Sequence, residues 1–194
     1  MLYICPMQDF PHFDSEAEAI AFFTQLQPIS PPELIGLWKG STIATGHPLD
    51  GALESLGWYG KRFHADRRAD ALVFSTGSRR LVPLDPARIP ISLALQFSGL
   101  AKRQWFRNLF SYALKALWAR GTVASVGMAS FQGIESAAMT YDAQPIVDHF
   151  RRVDDDQLIG VMDIKGDPRH YVFLLQRSTE INAAGAAQSA STGE

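Results

Sequence analysis

Between residues 122 and 178 the chain alternates strand-length apolar runs with short polar breaks, and this rhythm narrows the fold more than any other feature. TVASVGMASFQG and IESAAMTYDAQ read as two arms of a hairpin turning at Gln132 and Gly133. PIVDHFRRV, QLIGVMDIKG and HYVFLLQRS follow, with Asp154-Asp155-Asp156 and Gly166-Asp167-Pro168 parting the last three runs. Runs of this length, rich in β-branched and aromatic residues and bounded by turn formers, predict strands; five in succession with short turns predict an antiparallel meander. Exposed strand edges invite mispairing, so a meander needs its edges covered or closed.

Upstream, DSEAEAIAFFTQLQ at 14–27 has Asp14 or Ser15 as N-cap, acids in the first turn and Ile20, Phe23 and Leu26 in helical register, which predicts a helix. Pro28, Pro31 and Pro32 end it. In ELIGLWKGSTIAT, 33–45, alternation sets Leu37, Lys39, Ser41 and Ile43 on one face of a strand and Gly36, Trp38, Gly40 and Thr42 on the other. Glycines on either side of Trp38 suit a strand curving tightly around a large ring. A turn and a short helical piece at 49–56 come next, then a Gly-Trp-Tyr-Gly segment and a strand-like ADALVFST. Pro83, Pro86 and Pro90 limit 79–99 to a short strand and a loop. Residues 101–120 carry Phe106, Leu109, Phe110, Ala113, Leu114 and Leu117 at helical spacing and predict the longest helix, with its lysines and arginines as the wet face. From 182 the sequence has almost nothing to bury and predicts a disordered tail.

An early strand, a helical excursion and a five-strand meander together describe a mainly β chain: an antiparallel β-barrel flanked by an N-terminal helix. The expected organisation is a helical segment at 1–32, one barrel domain at 33–181 and a tail at 182–194. An open α+β sheet with the long helix across one face is the alternative. About eight strands would leave a barrel wide enough for its own side chains or one small ligand.

Composition sets limits on function. A net charge of −2 over 194 residues argues against a globally cationic nucleic-acid binder, and the single Cys5 excludes an internal disulfide. The start, MLYICPMQDF, lacks the pattern of a secretory signal, and no apolar run reaches the ~18 residues of a membrane span, so a cytoplasmic protein is expected. The five histidines show no paired ligand spacing, so neither metal nor cofactor is expected.

Gly36-Leu37-Trp38-Lys39-Gly40 is a Gly-x-Trp-x-Gly run, and with LIGLWKG, GHPLDG and LGWYGKRF around it the chain resembles the GXWXG family. MTYDAQPIVDHFRRVDDD, LIGVMDIKG and YVFLLQR resemble the C-terminal domain of unknown function that accompanies that family. The motif is also similar to the first-strand Gly-x-Trp of the calycins, meaning lipocalins, fatty-acid-binding proteins and nitrobindin. That likeness implies a calycin-like barrel closed at one end by a tryptophan packed against an arginine of the last strand, here Trp38 and Arg177.

Within the strands, Ile146, Asp148, Phe150 and Arg152 share one face, opposite Val147, His149 and Arg151; Asp163 shares another with Ile159, Val161 and Lys165. Neither strand has a purely apolar side, so charge must lie in or near the interior, where it needs a partner. Asp148 and Asp163 are candidate buried carboxylates, either paired with Arg151, Arg152 or Lys165 or engaged in chemistry, and His149 is a candidate general base. Trp58 and Tyr59 offer an aromatic wall, Lys61, Arg62 and Arg151 a cation for a carboxylate head, and His47 a turn residue near the barrel mouth. Three functions follow in order. The first is binding of a small, mostly apolar or aromatic molecule, with or without a carboxylate. The second is a cofactor-independent acid–base enzyme (isomerase, lyase or hydrolase) using Asp148 or His149 in the same cavity. The third, implied by the likeness to nitrobindin, is heme binding through a histidine.

Overall fold

The computed structural model describes residues 10–76, 80–88 and 114–178. Among the described residues ten strands form one sheet: β1 (Gln27–Pro28), β2 (Gly36–Thr42), β3 (Trp58–Phe63), β4 (Arg68–Ser75), β5 (Leu81–Leu84), β6 (Ala124–Phe131), β7 (Ile134–Tyr141), β8 (Ile146–Arg152), β9 (Gln157–Ile164) and β10 (Tyr171–Arg177). Eight of them close on themselves in the order β8-β7-β6-β4-β3-β2-β10-β9, and seven pairs between β8 and β9, from Ile146↔Ile164 to Arg152↔Leu158, complete the ring. The meander's edges are thus joined through the earlier strands, and the fold is a closed antiparallel barrel, mainly β. The five expected C-terminal strands are β6 to β10, and Gln132 and Gly133 turn the first hairpin with φ of 49° and 80°.

Closure is uneven. β4 pairs β6 at only Arg68↔Ser125 and Ala69↔Ala124, and its far half, from Leu72 to Ser75, turns instead to β5. A short 3-10 turn at Leu114–Leu117 then leads to Trp118, which bridges Leu84 on β5. Of the helix expected at 101–120, residues 101–113 lie outside the described residues, as do 89–99 of the expected loop and the tail at 182–194.

Helix α1 (Glu16–Gln25) is capped by Ser15, whose side chain accepts from the Glu18 N–H, and it ends in an extended residue, Leu26, ahead of Pro28. Its buried face, Ala19, Ile20 and Phe23, packs with Ile159, Val161, Val172 and Phe131 on the outer wall of the barrel. The apolar side chains of β9 are therefore divided between two cores: Ile159 and Val161 lie under α1, while Leu158, Met162 and Ile164 belong to the interior. Among the described residues no helix is long and apolar enough to cross a membrane.

The interior is filled by large rings, and glycines make room for them. Trp38 is fully buried, its indole N–H donates to the Leu34 carbonyl at 2.7 Å, and the Arg177 guanidinium carbon lies 4.2 Å from the ring centroid. Arg177 also donates to the carbonyls of Ile35 and Glu33 at 3.2 and 3.3 Å, so the cation holds the entry to β2 onto the end of β10. The ring that needs the space at Gly40 is Trp58 rather than Trp38, because a Cβ on Gly40 would stand 2.2 Å from the Trp58 ring. Gly160 on β9 does the same for Phe173 at 2.2 Å.

Two outcomes test this packing. Trp38→Ala should cost ~3–5 kcal/mol in a denaturant titration, the range of a buried aromatic truncation; a loss below ~1 kcal/mol would make the indole peripheral. Gly40→Ala should cost ~1–3 kcal/mol by overpacking, and adding Trp58→Phe should recover part of it; strict additivity of the two would contradict the contact.

Candidate functional site

The deepest polar feature of the barrel begins with an irregularity in β3. In a regular strand Trp58 and Lys61 would face opposite sides. The β3–β4 register shifts on both sides of Gly60, and both side chains are buried, with Phe63 buried beyond them. Only glycine fits at the bulge: its φ is +150°, and a Cβ there would lie 1.9 Å from the Trp38 carbonyl oxygen. The bulge thereby brings a lysine inside the barrel.

Lys61 is 1% exposed, and its ammonium lies 2.8 Å from Oδ2 of Asp148, which is fully buried on β8. In the ring, β3 and β8 are four strands apart in either direction, so this ion pair spans the barrel. The ammonium also donates to the Ala71 carbonyl at 3.1 Å and to the Tyr141 hydroxyl at 3.2 Å, and the Phe173 ring centroid is 5.0 Å away. All three N–H bonds of Lys61 are therefore engaged. Tyr141 in turn donates to Asp148 Oδ2 at 3.3 Å, while Oδ1 has no hydrogen-bond partner among the described residues. Burial raises the Asp148 pKa above the ordinary 3.8 against the pull of Lys61, and burial together with the nearby Asp148 pushes the Tyr141 phenol well above its usual value.

A second polar group lies toward the end where β2 finishes. Thr42 and Tyr171 share a hydrogen bond of 2.7 Å between hydroxyls. Glu54, on the short helix α2 (Ala52–Ser55), accepts the Thr42 N–H through Oε1, and its Oε2 is buried without a partner among the described residues. Asp50 Oδ2 gathers the N–H groups of Thr45, Gly46 and His47 at 2.8–3.0 Å. His47 is 5% exposed and its ring lies 5.6 Å from that of Tyr171. Its Nδ1 accepts from the Leu49 N–H at 3.2 Å, so the neutral ring carries its proton on Nε2, which lacks a partner among the described residues. Burial lowers the His47 pKa and favours that neutral form.

The structure divides the residues singled out from the sequence into two groups. Trp58, Lys61 and Asp148 are brought together inside, and His47 is buried at the end where β2 finishes. The partner of Asp148 is Lys61, not Arg151, Arg152 or Lys165. The others do not face the interior. Tyr59 meets Ser178 at 2.8 Å, and Arg62 lies 3.5 Å from Asp70. On the opposite face of β8 from Asp148, His149 packs against Phe131 with ring centroids 4.9 Å apart and Arg151 lies over Phe23 at 5.3 Å, both beneath α1. Asp163 follows Ile159 and Val161 on the outward face of β9. The rings around the interior pair are therefore Trp58, Phe173 and Tyr141, with Tyr171 stacked on Phe173, and neither Arg62 nor Arg151 is among them. Tyr141 and Glu54 were missed because neither breaks the pattern of its own segment. Among the described residues no group of three or more His, Cys, Asp or Glu could hold a metal ion.

The buried pair predicts a distinct pattern of stability. Lys61→Met should cost ~3–5 kcal/mol by stranding a buried carboxyl, and Lys61→Met with Asp148→Leu should recover most of it; equal losses in the two variants would contradict the pairing. A carboxyl with a raised pKa binds its proton more tightly in the folded chain. Asp148 should therefore contribute stability below the ordinary carboxylate value of 3.8 that is lost as pH rises through its folded pKa. The stability of the wild type relative to Asp148→Asn should fall across that interval, and a rise would contradict the direction.

The comparisons agree with this architecture. The model of the GXWXG protein family matches residues 21–78, and that of a domain of unknown function (DUF4334) matches residues 122–177. A crystal structure of a protein from Thermomonospora curvata is similar with a TM-score of 0.62 and 28% identity, over 84% of this chain and 86% of that one. No curated protein sequence matches the chain. The first match contains Trp38, Gly40, Trp58 and Lys61 and the second Tyr141, Asp148 and Arg177, so the interior pair is formed between the two matched regions: the chain carries a GXWXG region followed by a DUF4334 region.

Proposed function

We propose that the barrel binds one small, mostly apolar molecule at the end opposite Trp38 and Arg177. The observation that carries this reading is the Lys61–Asp148 pair with an unpartnered carboxylate oxygen inside an apolar barrel. Well-packed apolar residues are often at least as stable as a buried ion pair, so stability alone is a weak account of it. A buried carboxyl such as Asp148, its pKa raised by burial and set among aromatic rings, is a feature of ligand and reaction sites. Around them Leu53, Leu56, Leu117 and Trp118 pack against the interior core while remaining partly exposed, which gives an apolar molecule a surface to replace. The available groups favour a neutral or donor-bearing head over a carboxylate, since the N–H bonds of Lys61 are engaged and Asp148 and Glu54 offer acceptors.

A second reading, proton transfer by Asp148, is favoured by one observation: Oδ1 is a free acceptor on a carboxyl whose pKa burial has raised. Lys61 and Tyr141 would then hold the carboxylate in place.

Displacement of Nile red by 1-decanol tests binding. Saturable, one-to-one uptake in the micromolar range is expected, with decanoate binding no more tightly than decanol. Leu53→Arg with Leu56→Arg should abolish uptake while far-ultraviolet circular dichroism is unchanged. Absence of saturable uptake, or uptake unaffected by these folded rim variants, would overturn the proposal.

A further inference from the structure

The outer wall beneath α1 holds two ionisable groups that the barrel interior does not use. His149 and Arg151 of β8 are 5% and 1% exposed there. The His149 ring packs on Phe131, and its residue pairs in register with Val161 of β9; Arg151 lies over Phe23 of α1. The guanidinium donates from Nη2 to the Ile134 carbonyl at 3.0 Å, while Nε and Nη1 are buried with no partner among the described residues. Unsatisfied charged donors weigh against burial, and the apolar contacts of Ala19, Ile20 and Phe23 oppose that term. Docking of α1 is therefore a balance between the two.

Both ends of the helix are tied to the barrel. In the first turn Glu16 Oε1 accepts the His170 N–H at 3.0 Å and lies 2.8 Å from His170 Nδ1; past the last turn Gln27 and Pro28 pair with Arg152 and Arg151. A segment fixed in this way leaves the wall by local opening between its ends. The charged groups around His149 come from each neighbouring element: Arg151 on β8, Asp163 on β9, His170 ahead of β10, and Glu16 of α1, which His170 engages. Asp148 lies behind it on the interior face, held by Lys61. Burial outweighs these carboxylates and keeps the His149 pKa below the ordinary 6.5.

We propose that α1 is an acid-released strap: a proton taken up by His149, beside the fixed charge of Arg151, lifts the helix from the barrel wall and bares Phe131, Ile159, Val161 and Val172. The sign follows from linkage. The His149 ring is neutral when the helix is docked and returns to its ordinary value when the helix is free. Docking is thus fully stable above pH 6.5 and weakens as pH falls from 6.5 toward the lower docked value. Across that interval the opening constant rises by at most ~10-fold per pH unit, the limit for one proton.

Nuclear magnetic resonance of the full chain, with no ligand added, tests the strap. In the wild type the His149 Cε1 proton should titrate with a midpoint below 6.5. Amide protection of Ile20 to Gln25, corrected for intrinsic exchange, should fall ~3-fold or more between pH 7.5 and 5.5, while protection in β3 and β4 holds. His149→Phe keeps a ring against Phe131 and should make α1 protection independent of pH; His170→Gln should leave the pH dependence in place. Arg151→Met should raise α1 protection, whereas an arginine that merely props the helix would lower it on removal. A midpoint above 6.5, equal protection at the two pH values, a pH dependence that survives in His149→Phe or vanishes in His170→Gln, or lowered protection in Arg151→Met would each overturn the proposal.

Discussion

The ion pair between Lys61 and Asp148 is the contact on which the interior depends. It joins strands that stand opposite each other in an eight-membered ring, and only a long side chain such as lysine can make that reach. An ammonium placed there must have three acceptors or lose more in desolvation than it gains from one carboxylate. Ala71, Tyr141 and Asp148 supply them, from β4, β7 and β8. Supporting geometry follows from that demand. The bulge at Gly60 aims the lysine, and the space at Gly40 and Gly160 admits Trp58 and Phe173, whose rings lie 5.9 and 5.0 Å from the ammonium.

Trp38 and Arg177 do different work at one end of the barrel. There the cation remains partly exposed and stacks on a buried ring, a contact of about 0.5–2 kcal/mol that ties the entry of β2 to the end of β10. At the other end the polar groups of Thr42, His47, Asp50, Glu54 and Tyr171 meet a partly exposed apolar rim. A barrel sealed by an aromatic cation stack at one end and bearing donors and acceptors at the other is polarised along its axis. This polarity supports the proposal that a small molecule binds at the end opposite Trp38.

Much of this was legible in the residues themselves. The meander could be read because each of its strands is a continuous run with a polar break after it, and closure followed from the need to hide edges. Alternation alone put Asp148 with Ile146 and Phe150, opposite His149 and Arg151. It could not say which face was the interior, because α1 covers the outer wall and side chains are buried on both faces: Asp148 and Phe150 within, His149 and Arg151 without. The partner of Asp148 was illegible for a different reason: Lys61 lies 87 positions away, and the bulge that turns it inward breaks the period on which face assignment rests. The role of Gly40 was misplaced by the same logic, since the ring it accommodates belongs to the next strand of the barrel and not to its own.

The buried ammonium can be observed directly. In a ¹⁵N–¹H correlation spectrum optimised for lysine side chains, an NH₃⁺ held by three protein acceptors exchanges its protons with water far more slowly than a surface lysine does. The structure predicts one such protected signal at neutral pH, assigned by its disappearance in Lys61→Met. A Lys61 ammonium exchanging as fast as the surface lysines would contradict the buried pair, and the interior built around it.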